Sequence, residues 1–361
     1  MERIKIGDKK MYLLDLGERP WEQSMLIFHT LARMGVEAVD IVWPKTPFIS
    51  IGYFQDVKKE VDIDYCKKAK LPIFRREVGG GTVYLDRNQI FYHVIWNKDN
   101  PNFPKRIKDI YEYLSIPPIE TYEEFGIDTK FREVNDIVTS KGRKIAGLGG
   151  ADIENSMAFV GSIIRDFNYN KMAHAIKVPD EKFRDKIYKT MEENVTNMKK
   201  EMGKAPPHEE IKKVLIQKYK KLFGKLKPLK LNEEIIQKMT ELAKWFNSAE
   251  FFYRKTPRIP KGVKIQEGIE ILYSTYKAQG GIVRTAQEVK NTKIKDIGIS
   301  GDFTLYPKNE LQNLEFSLKD TEREKSELNS KIEEFYEEKD VQTPGVKSKD
   351  FTNAIMEANK Q

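Results

Sequence analysis

Apolar positions along the chain fall into two patterns, short β-branched or aromatic runs and longer stretches with helical spacing. From Pro20, Met25, Ile27, Phe28 and Leu31 lead to Gly35, which predicts an early helix begun by a first-turn proline and facing a core. Residues 36–43 and 48–53 follow as strand-like runs separated by Pro44-Lys45-Thr46-Pro47. A helix from about Asp62 to Ala69 leads to the run 73–76, then to Gly79-Gly80-Gly81, Thr82 to Leu85 and the strand Gln89 to Trp96. After a helix near Pro104 to Leu114, strands are predicted at 136–139, 143–147 and 157–164, and helices from there to about 247. Gly268 to Tyr276 and Ile282 to Gln287 flank Gln279-Gly280-Gly281 as a hairpin far from the first sheet. Leu328, Ile332 and Phe335 give the charged run Lys319 to Glu338 the spacing of a surface helix. The expected division is a large domain over residues 1–230, a linker over 231–250 and a small domain over 251–361.

Composition narrows the classes. With 361 residues, 39% hydrophobic and 33% charged, the balance is that of a globular protein with more than one core, and no apolar run of bilayer length occurs. The opening Met1 to Asp8 has no apolar signal region, so a cytoplasmic protein is expected, with no membrane partner. One cysteine, Cys66, excludes an internal disulfide framework and a cysteine-built zinc site, and four scattered histidines point to no metal cluster. The net charge of +8 favours acidic partners. Its lysines, dense from Lys199 to Lys230, are not interleaved with stacking aromatics, so a solvated basic face is the simpler reading and no nucleic-acid partner is expected.

The chemistry concentrates at Arg75-Arg76-Glu77-Val78-Gly79-Gly80-Gly81-Thr82-Val83-Tyr84-Leu85-Asp86. Glycines between two strands leave backbone N–H groups open to phosphate or carboxylate oxygens, and two arginines add fixed charge with forked donors. An isolated glycine triplet reads as a strand connection; the whole string reads as an anion cradle. No G-x-x-x-x-G-K-(S/T) occurs, and Gly147-Leu148-Gly149-Gly150 lacks dinucleotide spacing, so neither a P-loop nor a Rossmann site is expected.

The string resembles the R-R-x-x-G-G-G-(T/A)-V-(F/Y)-x-D signature of the lipoate-protein ligase A and octanoyltransferase families. Asn135-Asp136-Ile137 followed by Gly142-Arg143-Lys144-Ile145-Ala146-Gly147 is similar to the families' second block, Gly52 to Gln55 to their G-x-x-Q, and Val195-Thr196-Asn197 to their closing V-(T/S)-N. Together they cover about residues 10 to 230, and Gly268 to Gln287 looks like the hairpin of the ligases' accessory domain. The resemblance implies an α/β (α+β) fold with a twisted mixed β-sheet flanked by helices, of the biotin/lipoate-ligase type, plus a small α+β C-terminal domain.

For function, the resemblance implies an ATP-dependent lipoate-protein ligase that forms lipoyl-AMP and transfers the lipoyl group to a lysine of a carrier domain, on acyltransferase subunits of 2-oxoacid dehydrogenases or on the glycine cleavage H protein. Lys144 falls on the catalytic lysine, where one ammonium serves both the α-phosphate and the acid's carboxylate. Arg76, Gly79, Gly80, Gly81, Thr82, Val83, Tyr84, Asn135, Asp136, Lys144 and Gly147 fall on the nucleotide-binding positions, with Asp136 also toward Mg2+. ATP, Mg2+ and lipoic acid are the implied cofactor and substrates, and an apolar tunnel around Ile51 and Phe91 is expected for the acyl chain. The sequence departs from the pattern at Leu85, at Arg87-Asn88-Gln89 and at Val160, where a His-Gly dipeptide is common. The alternative is an octanoyl or lipoyl transferase fed by an acyl-carrier protein, which needs a cysteine nucleophile. Met157 stands at the comparable place, and Cys66 reads as a packed thiol. The non-enzymatic alternative is a basic binding protein, for which no motif speaks.

Overall fold

The computed structural model describes residues 11–256 and 269–359. Met1 to Asp8 and Gly268, which the sequence reading used, lie outside the described residues. Among those described, no helix is long and apolar enough to cross a membrane.

The described residues form two compact units. One takes residues up to Ser50 with Val61–Arg76 and Val83–Ser248; the other takes Ile51–Glu60, Glu77–Thr82 and the described residues from Ala249 onward. In chain order the strands are β1 (Tyr12–Arg19), β2 (Ala38–Pro44), β3 (Phe48–Ile51), β4 (Ile73–Arg75), β5 (Val83–Leu85), β6 (Gln89–Asn97), β7 (Thr129–Arg132), β8 (Asp136–Thr139), β9 (Lys144–Ile153), β10 (Ser156–Ile164), β11 (Lys227–Pro228), β12 (Ile269–Ala278), β13 (Gly281–Lys290) and β14 (Lys293–Gly301). The first unit is built on a mixed eight-stranded sheet in the order β11-β1-β2-β6-β10-β9-β8-β7, with β4-β3-β5 as a small second sheet. The pairs β11–β1 and β1–β2 are parallel, and every pairing from β2 to β7 is antiparallel. β6 is buried from Gln89 to Trp96, as a central strand covered on both faces must be.

The predicted early helix spans Trp21–Arg33 and buries Met25, Leu26, Ile27, Phe28 and Leu31. Phe28 packs with its ring 4.7 Å from that of His93 of β6, which sets the helix on one face of the large sheet. Burying a side chain of that size stabilises the fold by about 2–3 kcal/mol. The lysine-rich stretch holds the helix His208–Phe223, which buries Ile211, Leu215 and Tyr219; of its lysines, Lys212 pairs with Asp15 of β1 at 2.9 Å and Lys218 and Lys221 with Glu124 and Glu120 at 2.8 and 2.7 Å.

Two boundaries differ from the sequence reading. The expected linker over 231–250 is largely the helix Glu233–Phe246, capped by Asn232, whose side chain accepts from Ile235 N–H. Ile235, Met239 and Phe246 supply its buried face, and Phe246 stacks on Phe74 at 5.3 Å and meets His29 at 4.5 Å, so it belongs to the core of the first unit. The second difference is that the small unit draws in two pieces of the expected large domain. Phe54 stacks on Phe303 at 5.2 Å, Gly301 N–H donates to the Phe54 carbonyl at 2.9 Å, and Thr256 Oγ1 donates to Asp56.

The rest of the small unit is an antiparallel meander, β12-β13-β14, so the expected hairpin has a third strand. Val283, Thr285, Gln287 and Val289 alternate inward along β13. The charged run forms the helix Lys325–Glu338 with Leu328, Ile332 and Phe335 buried, as its spacing predicts.

Candidate active site

Lys144 opens β9 at the edge of an irregular register. β8 and β9 pair as Asp136 with Gly147 and Ile137 with Ala146, then slip, so that Val138 faces Lys144. The slip lets the lysine side chain fold back along its own strand. Its Nζ lies 2.7 Å from Asp136 Oδ1, and a Cβ on Gly147 would meet Lys144 Cε and Nζ at 3.2 Å each. Gly147 is therefore the bare surface that the ammonium rests over.

Asp136 carries two cations, since Arg132 Nη2 donates to its Oδ2 at 2.7 Å. The Lys144 contact is a charge contact in geometry, because Oδ1 has no hydrogen-bond partner. Asn135 is locked into β9, accepting from Leu148 N–H at 2.8 Å through its carbonyl and donating from Nδ2 to the Leu148 carbonyl at 2.9 Å. The Val195-Thr196-Asn197 motif anchors the other side of the lysine. Thr196 N–H donates to the Lys144 carbonyl at 2.8 Å, and the buried Asn197 caps the helix Met198–Met202.

The arginine block belongs to the small sheet of the same unit. Arg75 and Arg76 are buried, and Arg76 Nη1 lies 3.2 Å from both the carbonyl and the Oγ of Ser50. Burial lowers the Arg76 guanidinium to about 10, which still leaves it charged at neutral pH. Val83 and Tyr84 pair with Ser50 and Ile49 across the same sheet. Leu85, the departure before Asp86, packs opposite Phe48. Arg87-Asn88-Gln89 closes its turn by side-chain bonds instead of a glycine, Asn88 N–H donating to Asp86 Oδ1 and Asp86 N–H to Gln89 Oε1.

Gly79 to Thr82 lie in the second unit and are not the open cradle that the sequence predicts. Gly80 sits at φ +84°, and its N–H is committed to the Phe303 carbonyl at 3.3 Å. A Cβ on Gly79 would fall 2.5 Å from Thr304 Oγ1. The glycines answer to close backbone approach within this unit. Gln55 explains the G-x-x-Q spacing, because its Oε1 accepts from Gly52 N–H at 2.8 Å and from Thr82 Oγ1 at 3.2 Å, tying Gly52 to the far end of the glycine segment.

Of the predicted positions, then, the structure gathers Lys144, Asp136, Asn135 and Gly147 into one cluster, groups Arg76, Val83 and Tyr84 on the small sheet, and sets Gly79 to Thr82 among the residues of the second unit. Sequence reading missed Arg132, on the unpredicted edge strand β7, four residues before its partner Asp136. Both oxygens of Asp136 face cations, and no group of three metal-ligating side chains occurs among the described residues. Asp136 is thus the counter-ion of Lys144 and Arg132, and it would offer a nucleotide's Mg2+ a single carboxylate.

Met157 also reads differently in place. It pairs with Asp152 near the opposite end of β9 from Lys144, about 25 Å along the strand. The residue type there has no bearing on the lysine's chemistry. What remains is the single thiol. Cys66 is buried in the helix Ile63–Lys68, and burial pushes it up to about 11. At pH 8 only about one part in a thousand is thiolate. Native protein is expected to resist alkylation at that pH, and Cys66→Ala to retain full acyl-transfer activity; rapid labelling together with an inactive variant would give the thiol a chemical role.

Residues 18–220 match the family described as lipoyl protein ligase A/B catalytic domain, and residues 272–355 that described as bacterial lipoate protein ligase C-terminus. The chain belongs to this family of lipoate ligases and acyltransferases. Lipoate-protein ligase A subunit 1 of Thermoplasma acidophilum is 30% identical over 159 residues, 42% of this chain and 59% of that protein, so the chain spans about six-tenths of that relative. The octanoyltransferase LipM of Staphylococcus epidermidis is 26% identical over 230 residues, 57% of this chain and 83% of that protein.

Among solved structures, a bipartite lipoate protein ligase studied with its E2 lipoyl domain, from T. acidophilum, aligns at TM-score 0.61 and 24% identity over 70% of this chain and 99% of that one. A lipoate-protein ligase A bound with ATP aligns at 0.58 and 20% over 68% and 98%. LipL1 of P. falciparum in complex with lipoate aligns at 0.70 and 15% over 96% and 99%. The fold is thus the expected one, a large mixed sheet flanked by helices followed by a small three-stranded domain.

Proposed function

We propose that this chain is an ATP-dependent lipoate-protein ligase. The observation that carries the reading is the Lys144 ammonium held over Gly147 by Asp136, in a chain whose only thiol is buried and protonated. In the first step an oxygen of the acid's carboxylate attacks the α-phosphorus of ATP, the bond to the β-phosphate oxygen breaks, and pyrophosphate leaves with that electron pair. Negative charge builds on the α-phosphate oxygens beside the carboxylate, and Lys144 stabilises both. Asp136 holds the ammonium in position before the anions arrive, and Arg132 fixes Asp136 in turn.

In the second step the neutral amine of an acceptor lysine attacks the acyl carbon of the mixed anhydride, AMP leaves, and the nitrogen loses a proton to give the amide. Neither step needs an enzyme nucleophile. Arg76, Val83 and Tyr84 are the proposed nucleotide contacts, and magnesium enters as part of the nucleotide substrate. The relatives described as bound to ATP, bound to lipoate and studied with an E2 lipoyl domain support these choices of nucleotide, acid and carrier.

The second reading is an octanoyltransferase, favoured by the LipM relatives. It would have to use Cys66 as its acyl carrier. Supplying octanoyl-carrier protein without ATP separates the two, because the ligase reading expects no modified acceptor under that condition.

A further inference from the structure

One face of the large sheet is open beside the lysine. Gly147 and Gly149 of β9 and Val160 and Ser162 of β10 are partly exposed, as is Gly161 between the last two, whereas Ala146, Leu148, Phe159 and Ile163 are buried. The cross-strand register puts Gly149, Val160, His93 and Asp40 in one row across β9, β10, β6 and β2, and Ser162 faces Phe91. Residues directly opposite each other share a face, so this row lies on the face over which Lys144 Nζ rests at Gly147. The helix Trp21–Arg33 covers the rest of it, from Ser156, whose Oγ donates to the Ala32 carbonyl, to His93 under Phe28. What stays open is a cleft with a floor of small residues. It starts at the lysine and runs about 10 Å across the strands to a wall formed by the buried side chains of Phe91 and His93.

That wall is not apolar. His93 Nδ1 lies 2.7 Å from Asp40 Oδ1, with both side chains almost wholly buried. A buried carboxylate accepts, so Nδ1 carries the proton and turns toward β2. Nε2 is on the side of the ring away from β2 and has no hydrogen-bond partner among the described residues. Asp40 Oδ2 is likewise without one.

We infer that His93, oriented by Asp40, determines which acid the enzyme takes, selecting a medium-chain acid that ends in sulfur, as lipoate does, over one that ends in a methyl group, as octanoate does. The inference rests on the reading of the site as an acid-activating one. A methyl terminus would strip solvent from Nε2 and return no bond. Sulfur meets the Phe91 and His93 rings through a polarisable surface, and in the reduced acid a thiol donates to Nε2. The glycines at 147 and 149 leave room for the chain.

The test is calorimetric titration of the full chain with lipoate and with octanoate, without ATP. Lipoate is expected to bind about tenfold tighter or more. In His93→Phe the ratio falls to about one, mainly through weaker lipoate binding. His93→Gln, which keeps a donor for Asp40, gives the same fall should the phenylalanine variant not fold. Gly149→Val, which narrows the floor, weakens both acids in parallel. Equal binding of the two acids by the unaltered protein, or an unchanged ratio in a folded His93 variant, overturns the inference and leaves the ligase reading standing. Binding of neither acid removes both.

Discussion

Lys144→Ala is expected to lower lipoate-dependent pyrophosphate release by about 100-fold or more, the usual loss when a charge-stabilising group is removed from a reaction centre. The fold should survive. The Lys144 side chain is 38% exposed, and its strand is held by backbone bonds that alanine keeps, including the one its carbonyl accepts from Thr196. Asp136→Asn should cost less, about tenfold, because it removes the counter-ion that places the ammonium and not the ammonium itself. Pyrophosphate release at the original rate in a folded Lys144→Ala protein would take the lysine out of the mechanism.

Gly52→Ala is expected to be strongly destabilising, because Gly52 packs directly on the glycine segment. A Cβ there would lie 1.9 Å from the Gly80 carbonyl oxygen, and both partners are backbone, so nothing flexible can yield. The segment must shift, breaking the bonds that Gln55 makes to Gly52 and Thr82. A destabilisation of about 3 kcal/mol is expected, at the upper end of overpacking costs, read as a lower urea midpoint. Gly35→Ala is the control, since nothing lies within 4 Å of a Cβ there, although its φ of +64° still carries the strain of any left-handed residue. Equal midpoints for Gly52→Ala and the original protein would mean that the close approach of Gly52 to Gly80 does not constrain the segment.

What the sequence made legible was whatever is local along the chain. The arginine and glycine string, the Asn135-Asp136 and Lys144 block and the Val195-Thr196-Asn197 motif each sit in contiguous residues, and the bond from Thr196 N–H to the Lys144 carbonyl joins the last two. The missed strands have physical reasons. β7 is an edge strand of sequence Thr-Lys-Phe-Arg, and edges carry charge in place of an apolar pattern. β1 alternates correctly at Leu14 and Leu16, but Gly17 at φ +62° marks a slip that breaks the run. β14 buries Ile294, Ile297 and Ile299 across a register shift, which spoils the period of two.

The helix Ile116–Glu124 begins on Pro117 and Pro118, which suit a first turn yet read as a break. Long-range placement was out of reach altogether. Asp40 and His93 are joined only by the pairing of β2 with β6, and Met157 looked close to the chemistry until β9 and β10 set it at the far end of the sheet. The glycine segment's membership of the second unit depends on Phe303 and Thr304, more than 200 residues away in the chain.

The central claim is ligation powered by ATP, and mass spectrometry of a lipoyl carrier domain after incubation with the full chain tests it most directly. With lipoate, magnesium and ATP together, the carrier is expected to gain one lipoyl group on a lysine while AMP accumulates, and to gain nothing when ATP is withheld. A carrier acylated from octanoyl-carrier protein in the absence of ATP, and left unmodified by lipoate with ATP, would contradict the account.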